Sequence, residues 1–344
     1  LLFIGGMSKS AQFPIFIWLP RSLYAPTPVH ALLHAGIINA GGFLINRLAP
    51  LFGMSSTTLH VAFVVGTMTA ILGATMMLTQ NDIKKTLGFS TIGQMGYMVM
   101  ECGLGAFSLA VFHLIAHGLF KATVFLNCGN VIHKARLEPH VPHATPHQDE
   151  ERFSRLTWST GFATTLFIPL LILLASHGVL KIPLLESQGN VIILFFIWIT
   201  SSQAILTLTR LRQVASWKVS AAMLATLLFV VFMYLFAVES FTAFLYPNPA
   251  EVAAYFKAAD LADWLFDLLI LGATGSTIFG WFYLYMKAHG RSMPVPRWID
   301  GIRIQLYVLF MNRLYVDQGY HKLGQLTMRL LHRYDKGPQG WSQP

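Results

Sequence analysis

Phe112-His113-Leu114-Ile115-Ala116-His117-Gly118-Leu119-Phe120-Lys121-Ala122 lies inside an apolar run from Ala106 to Val131 and sets three titratable side chains four residues apart. On a helix of 3.6 residues per turn, His113, His117 and Lys121 form one slanting stripe about 12 Å long. A run of this length and character reads as a membrane span, where a charged side chain costs at least about 2.5 to 3.5 kcal/mol. The stripe is therefore expected to face protein, water or a partner rather than lipid. Histidine takes a proton on one ring nitrogen and releases another from the second. An amine shielded from water more readily adopts the neutral form that accepts a proton. The spacing thus points to a proton wire; histidines bonded to neighbouring helices for packing alone are the alternative.

Further apolar runs fall near residues 1 to 19, 28 to 46, 58 to 79, 87 to 104, 158 to 176, 190 to 209, 219 to 245 and 262 to 286. Together with the run that carries the stripe they predict about nine transmembrane helices in an all-α, polytopic membrane protein. The first is interrupted by Pro14 and closed by Pro20. Proline removes a backbone donor and breaks a helix, and broken helices inside membranes often line ion pathways.

Composition agrees. Of 344 residues 54% are hydrophobic and 11% charged, against about 25% charged in an ordinary soluble domain. The formal net charge of +9 sits in short loops and the tail, so a nucleic-acid partner is not expected and the lipid bilayer is. Cys102 and Cys128 lie in apolar runs without C-x-x-C spacing and read as reduced packing residues. A cleavable signal peptide is not expected from this sequence. The chain opens at Leu1 inside an apolar run without an initiating Met, from which an N-terminally shortened chain is expected.

Lys and Arg collect on the cytoplasmic side of short loops. One side receives Arg21, Lys84, Lys85, Lys134, Arg136, Arg152, Arg155, Arg210, Arg212, Lys218 and the tail from Lys287. The other has Arg47, Lys181 and Lys257 beside Glu186, Glu251 and Asp260. This asymmetry predicts a cytoplasmic tail. Residues 298 to 334 alternate Ile302, Leu306, Phe310 and Leu314 with Arg303, Arg313, Lys322 and Arg329, as an interfacial amphipathic helix does. The chain accordingly divides into core helices over 1–135, a histidine-rich cytoplasmic loop over 136–157, further transmembrane helices over 158–286 and a basic amphipathic tail over 287–344.

Two more candidates come from earlier helices. Lys9 lies among Gly5, Gly6, Ser8, Ser10 and Ala11, and His34 lies in the run after Pro28. Small residues permit close helix approach, and Pro14 frees carbonyls that can hold water. His30, nearer the loop, reads as structural or as a further relay member. Glu101 reads equally as an exit carboxylate or an interfacial residue, and Glu239 has a weaker claim of the same kind. His140, His143, His147 and Asp149 have no cysteine or finger context, so a solvated loop is favoured over a metal site. No metal, no cofactor and no catalytic site are expected in this chain. A two-histidine haem at His34 and His117 is chemically reasonable, but such a site has no need of Lys9 and Lys121.

Four ordered blocks make a resemblance specific. They are Gly6-Met7-Ser8-Lys9-Ser10-Ala11-Gln12-Phe13-Pro14 with Trp18-Leu19-Pro20; Pro26-Thr27-Pro28-Val29; Asp82-Ile83-Lys84-Lys85 with Ser90-Thr91-Ile92-Gly93-Gln94-Met95-Gly96-Tyr97; and the stripe segment itself. They resemble the antiporter-like proton-pumping subunits of respiratory complex I and Mrp antiporters. Asn312-Arg313-Leu314-Tyr315-Val316-Asp317 is similar to the Asn-Lys/Arg-x-Tyr-x-Asp motif near the C-terminus of the complex I chain-5 subunit.

The resemblance implies a hydrated axis along the membrane plane, with its roles falling to Lys9, His34, His113, His117 and Lys121. It also implies a glutamate partner for the broken-helix lysine, upstream of Leu1. The block His34-Ala35-Gly36-Ile37-Ile38-Asn39-Ala40-Gly41-Gly42 departs from the complex I and Mrp form. It resembles instead DabB, the membrane subunit of DAB-type inorganic carbon pumps. That likeness implies a cytoplasmic, zinc-containing DabA-like partner, with the zinc in the partner, and a bacterial inner-membrane location. The Gly-Phe-Phe-Ser-Lys-Asp motif of complex I is absent from residues 158 to 210, so the resemblance does not extend to a terminal lysine of the relay. The leading expectation is an ion-conducting subunit that drives CO2 hydration in its partner; the alternative is a pumping subunit of complex I or of an Mrp antiporter.

Overall fold

The computed structural model describes residues 1–22, 25–137, 217–288 and 297–335, with a few single positions between 188 and 198. The expected helix 158–176, most of 190–209 and the histidine-rich loop with His140, His143 and His147 lie outside the described residues. All described elements are helical. Four described helices are long and apolar enough to cross a membrane, or five when one bent pair is taken as a single span.

The first apolar run forms α1 (Leu2–Lys9) and α2 (Trp18–Arg21), separated by irregular backbone. Proline clashes with the carbonyl four residues before it, which for Pro14 is that of Ser10, and the helix stops there. Irregular backbone at membrane depth needs partners from its neighbours. Phe13 N–H donates to Thr69 Oγ1 at 3.0 Å, and the Trp18 indole N–H donates to the Ser8 carbonyl at 3.1 Å. Ser10 Oγ donates to the Ile38 carbonyl at 2.6 Å and accepts from Gly41 N–H at 3.0 Å.

The second run was expected to be one continuous helix, and it contains a break of its own. α3 (Thr27–Ala35) ends at Gly36, a 3-10 turn covers Ile37–Asn39, and α4 (Ala40–Arg47) resumes. Gly36 sits at φ −123°, ψ −66°, and two β-branched residues follow it, a combination that favours leaving the α-helix. α1 then crosses α4 at Gly6 and Gly41, so closely that a Cβ on Gly41 would strike the Gly6 carbonyl. A short helix, α5 (Ala49–Phe52), leads to α6.

α6 (Ser56–Leu78) and α7 (Ile83–Gly103) pack on glycines. Gly66 and Gly73 on α6 meet the backbone of α7 near Met100 and Gly93, and Gly96 and Gly103 meet α6 near Ala70 and Phe63. Small residues at such spacings bring membrane helices into backbone contact. Ser55 caps α6 and Asp82 caps α7, each accepting an N–H from the first turn. At 21 residues α7 is about as long as the bilayer core is thick, yet its polar residues keep it out of the apolar class. Most of its side chains are buried against neighbouring helices, which permits that.

α8 (Phe107–Leu137) continues six residues past the expected end at Val131. α9 (Trp217–Leu245) lies against it, with Phe112 on Tyr234 and Phe241 and with Ser108 Oγ 2.8 Å from Thr242 Oγ1. The run near 262 to 286 is α11 (Asp263–Ala288), and α10 (Pro249–Ala259) precedes it at an 84° bend. Tyr255 of α10 packs edge-on against Phe107, 5.1 Å between centroids, and closes the turn from α7 to α8, where Gly105 adopts φ +77°.

The expected single tail helix is two helices, α12 (Arg297–Met311) and α13 (Val316–Asp335), separated by a 3-10 turn at Arg313–Tyr315. All three turn residues have positive φ. Asp317 accepts from Arg313 at 3.3 Å and from Arg21 at 2.8 Å, which ties the kink to the end of α2. Exposed ion pairs contribute about 0 to 1 kcal/mol. Asp317→Asn is therefore expected to leave the thermal midpoint of the detergent-solubilised protein nearly unchanged; a fall comparable with that of a core substitution would show that the tail depends on this pair.

Candidate functional site

α7 and α8 run antiparallel, and the polar side of one faces the polar side of the other. On α7, Leu87, Ser90, Gln94, Tyr97 and Glu101 recur at intervals of three and four residues, which is one face of a helix. The glycines at 93, 96 and 103 occupy another face and bind α6. Opposite the polar face stand His113, His117 and Lys121. Of this face only Glu101 stands out in the sequence as a candidate; Ser90, Gln94 and Tyr97 belong there to a motif. The three-and-four recurrence of polar residues in an otherwise apolar segment was the signal for them.

Lys121 is 1% exposed. Its Nζ donates to Ser90 Oγ at 3.0 Å and to the Leu87 carbonyl at 3.3 Å, and among the described residues it forms no ion pair. An ammonium has three N–H donors, so one remains for another acceptor. Its setting of hydroxyl and carbonyl, without a carboxylate, holds the cation without locking its charge in place.

His113 is held at both nitrogens. Nδ1 lies 3.0 Å from Glu101 Oε2 and Nε2 lies 3.0 Å from Gln94 Oε1, while Tyr97 packs edge-on at 5.7 Å. His117 follows one turn along, its ring centroid 6.2 Å from that of His113. It is buried, and neither of its nitrogens meets a hydrogen-bond partner among the described residues.

His34 and His30 reach this stripe from α3. His34 is fully buried and lies near His30, His117 and Lys121. Its ring stacks on Phe125 of α8 at 4.5 Å and 18°, and His30 meets the same phenyl ring edge-on at 5.9 Å. The two imidazoles stand 5.6 Å apart. His30 Nε2 lies 2.5 Å from the Ser22 carbonyl, just beyond α2. That bond requires a proton on Nε2 and leaves Nδ1 as the acceptor of the neutral ring. Both nitrogens of His34, Nδ1 of His30, Oδ1 of Asn39 and Oε1 of Gln12 are buried without a hydrogen-bond partner among the described residues. Asn39 donates to the Ala35 carbonyl at 2.6 Å, and Gly118, next to His117, packs on that same carbonyl.

The structure therefore brings His30, His34, His113, His117, Lys121 and Glu101 into one array, buried except at His113, which is half-buried. Lys9 stands apart from it: it is the last residue of α1, at the edge of the break, and it is exposed. Cys102 is buried and free, beside the array rather than in it. Among the described residues no group of three potential metal ligands occurs.

Residues 1–207 match the family described as NADH:quinone oxidoreductase/Mrp antiporter, TM. The chain belongs to that family. It is thus a multi-pass membrane protein of the antiporter-like class. Within the NADH:quinone oxidoreductase/Mrp antiporter family it is 42% identical over 339 residues to a "probable inorganic carbon transporter subunit DabB1" of Halothiobacillus neapolitanus. That alignment covers 97% of this chain and 60% of the relative, so the chain spans about three-fifths of the relative's length. It is 51% identical over 134 residues to an NAD(P)H-quinone oxidoreductase chain 5 of Synechocystis sp., covering 39% of this chain and 20% of that one. A solved structure of an Mrp complex from a Dietzia species aligns with 95% of this chain and 38% of its own at 21% identity and a TM-score of 0.38.

Proposed function

We propose that this chain is the proton-conducting part of an energy-coupled inorganic carbon pump of the bacterial inner membrane, its tail on the cytoplasmic side. The observation that carries the proton-conducting part is the array in which Lys121, His117 and His34 converge, with the four imidazole nitrogens of His34 and His117 buried and without a hydrogen-bond partner among the described residues. Buried polar atoms nearly always find a partner, in protein or in ordered water. Water between these rings would complete hydrogen-bonded steps from Lys121 through His117 to His34 and His30, and each imidazole can accept on one nitrogen as it releases from the other. Lys9, at the break that ends α1, would join the axis from outside the array.

The inorganic carbon part rests on relatedness to the DabB1 protein over 97% of this chain, whereas the match to chain 5 of the quinone oxidoreductase covers 39%. In this reading a cytoplasmic DabA-like partner supplies the zinc and hydrates CO2, driven by ions moving through the helices. A host without carbonic anhydrase is expected to grow in air when it carries the full-length subunit and its zinc partner, and neither gene alone is expected to suffice. Copurification with many redox subunits and bound iron-sulfur clusters would overturn the carbon-pump reading in favour of a complex I module. The proton relay would survive that outcome.

A further inference from the structure

We propose that Glu101 is a proton-carrying terminus of the array, taking its proton from His113, with Gln94 as the residue that keeps His113 bonded in either protonation state. The inference rests on the relay reading above and adds a residue and a step to it.

Glu101 is a carboxyl group 3% exposed, two residues before the end of α7, and it sits at the far end of the α8 stripe from Lys121. Its Oε2 meets His113 Nδ1 at 3.0 Å, the direct bond between two titratable side chains of the array. Elsewhere in the array the rings stand apart, at 5.6 Å between His30 and His34 and 6.2 Å between His113 and His117. Among the described residues, Tyr97 on its own helix, Cys102 beside it and Tyr234 of α9 also lie near this carboxyl. His117 and Lys121 lie beyond His113.

With acceptors on both sides, Gln94 Oε1 and Glu101 Oε2, His113 is arranged as an imidazolium, since each ring nitrogen needs its own hydrogen to make both bonds. Transfer along the short contact moves one proton from Nδ1 to Oε2. The products are a neutral imidazole, still protonated on Nε2, and a neutral carboxylic acid; no bond other than N–H and O–H changes. Once Glu101 has passed its proton on, the hydrogen left on Nε2 must move to Nδ1 through water, one N–H bond breaking as the other forms, before Nε2 can be protonated from the His117 side. A carboxamide carries an acceptor and a donor on one planar group, so rotation of Gln94 presents its NH2 to a bare Nε2 and its oxygen to a protonated one. Glutamine suits that position; a second carboxylate would hold the ring charged.

The test is infrared difference spectroscopy with proton-flux measurement on inverted membrane vesicles carrying the complete native assembly. Energisation is expected to produce a protonated-carboxyl band that Glu101→Gln removes, with flux reduced tenfold or more. Gln94→Glu is expected to slow flux while keeping the band. If Glu101→Gln fails to accumulate, the paired variant Glu101→Gln/His113→Gln, which removes both charges together, serves for the same band. A band that persists in either variant overturns the proposal, as does wild-type flux in Glu101→Gln. Lys121→Ala separates this from the relay itself: loss of flux there with none in Glu101→Gln removes only the terminus, whereas full flux in both removes the relay.

Discussion

A Lys121→Met chain is expected to lose proton flux by about a hundredfold or more, the range in which positioned acid–base groups act, while folding and assembling normally. Methionine has similar length and no polar head, so it can fill the space that Lys121 occupies at 1% exposure. The groups left behind are not stranded: the Leu87 carbonyl also accepts from Thr91 Oγ1 at 3.0 Å, and Ser90 Oγ can rotate its hydroxyl. Replacing a buried charge by a fitted apolar group is often neutral or stabilising. Lys121→Arg sharpens the test, because guanidinium keeps the charge and does not release a proton in proteins. If Lys121 served only as a fixed charge, arginine would restore function; if it exchanges protons, both variants fail. Dye-quenching in inverted vesicles measures the flux, and immunoblotting checks the amount of subunit. Full flux in Lys121→Met would refute the relay.

The second large effect is structural. Gly96→Leu places a side chain where even a Cβ would fall on the backbone N of Ala70 and within 2.8 Å of the Gly66 carbonyl. Backbone cannot swing aside as a side chain can, so α6 and α7 must separate. Overpacking costs about 1 to 3 kcal/mol where side chains can adjust, and more is expected here. The polar face of α7 moves with the helix, so Ser90, Gln94 and Glu101 lose their places opposite Lys121 and His113. The expected result is a chain that accumulates poorly, melts several degrees lower in detergent and conducts no protons. Gly5→Ala is the control. A Cβ at Gly5 meets nothing within 4 Å, and alanine is the better helix former by about 1 kcal/mol. Equal melting of Gly96→Leu and wild type would show that the glycine contact does not set the helix spacing.

The stripe on α8 was readable because its signal is local. Three titratable residues at four-residue intervals in a lipid-length apolar run leave few physical options. The break before Pro14 was readable for the same reason, since proline acts on its own helix. The break at Gly36 was not, because glycine and two isoleucines are compatible with helix and with its interruption. What decides there is tertiary: Ser10 takes the Ile38 carbonyl, and α1 crosses at Gly41. The polar face of α7 is harder to read because Ser90, Gln94 and Tyr97 are individually ordinary, and only their three-and-four recurrence marks them before α8 is placed opposite. The tail kink is similar, for Asp317 meets Arg21 across nearly the whole length of the chain. His30 was ambiguous by its place near a loop, and its burial follows from the Phe125 ring that it shares with His34.

That shared ring also offers a means of observation. A phenyl group lying parallel to an imidazole at 4.5 Å shifts the magnetic resonances of the imidazole's hydrogens, and the shift changes when the ring gains charge and reorients. Isotope-labelled histidine in otherwise unaltered protein would therefore carry, at residue 34, an internal gauge of charge arriving at that ring, read without replacing any participant.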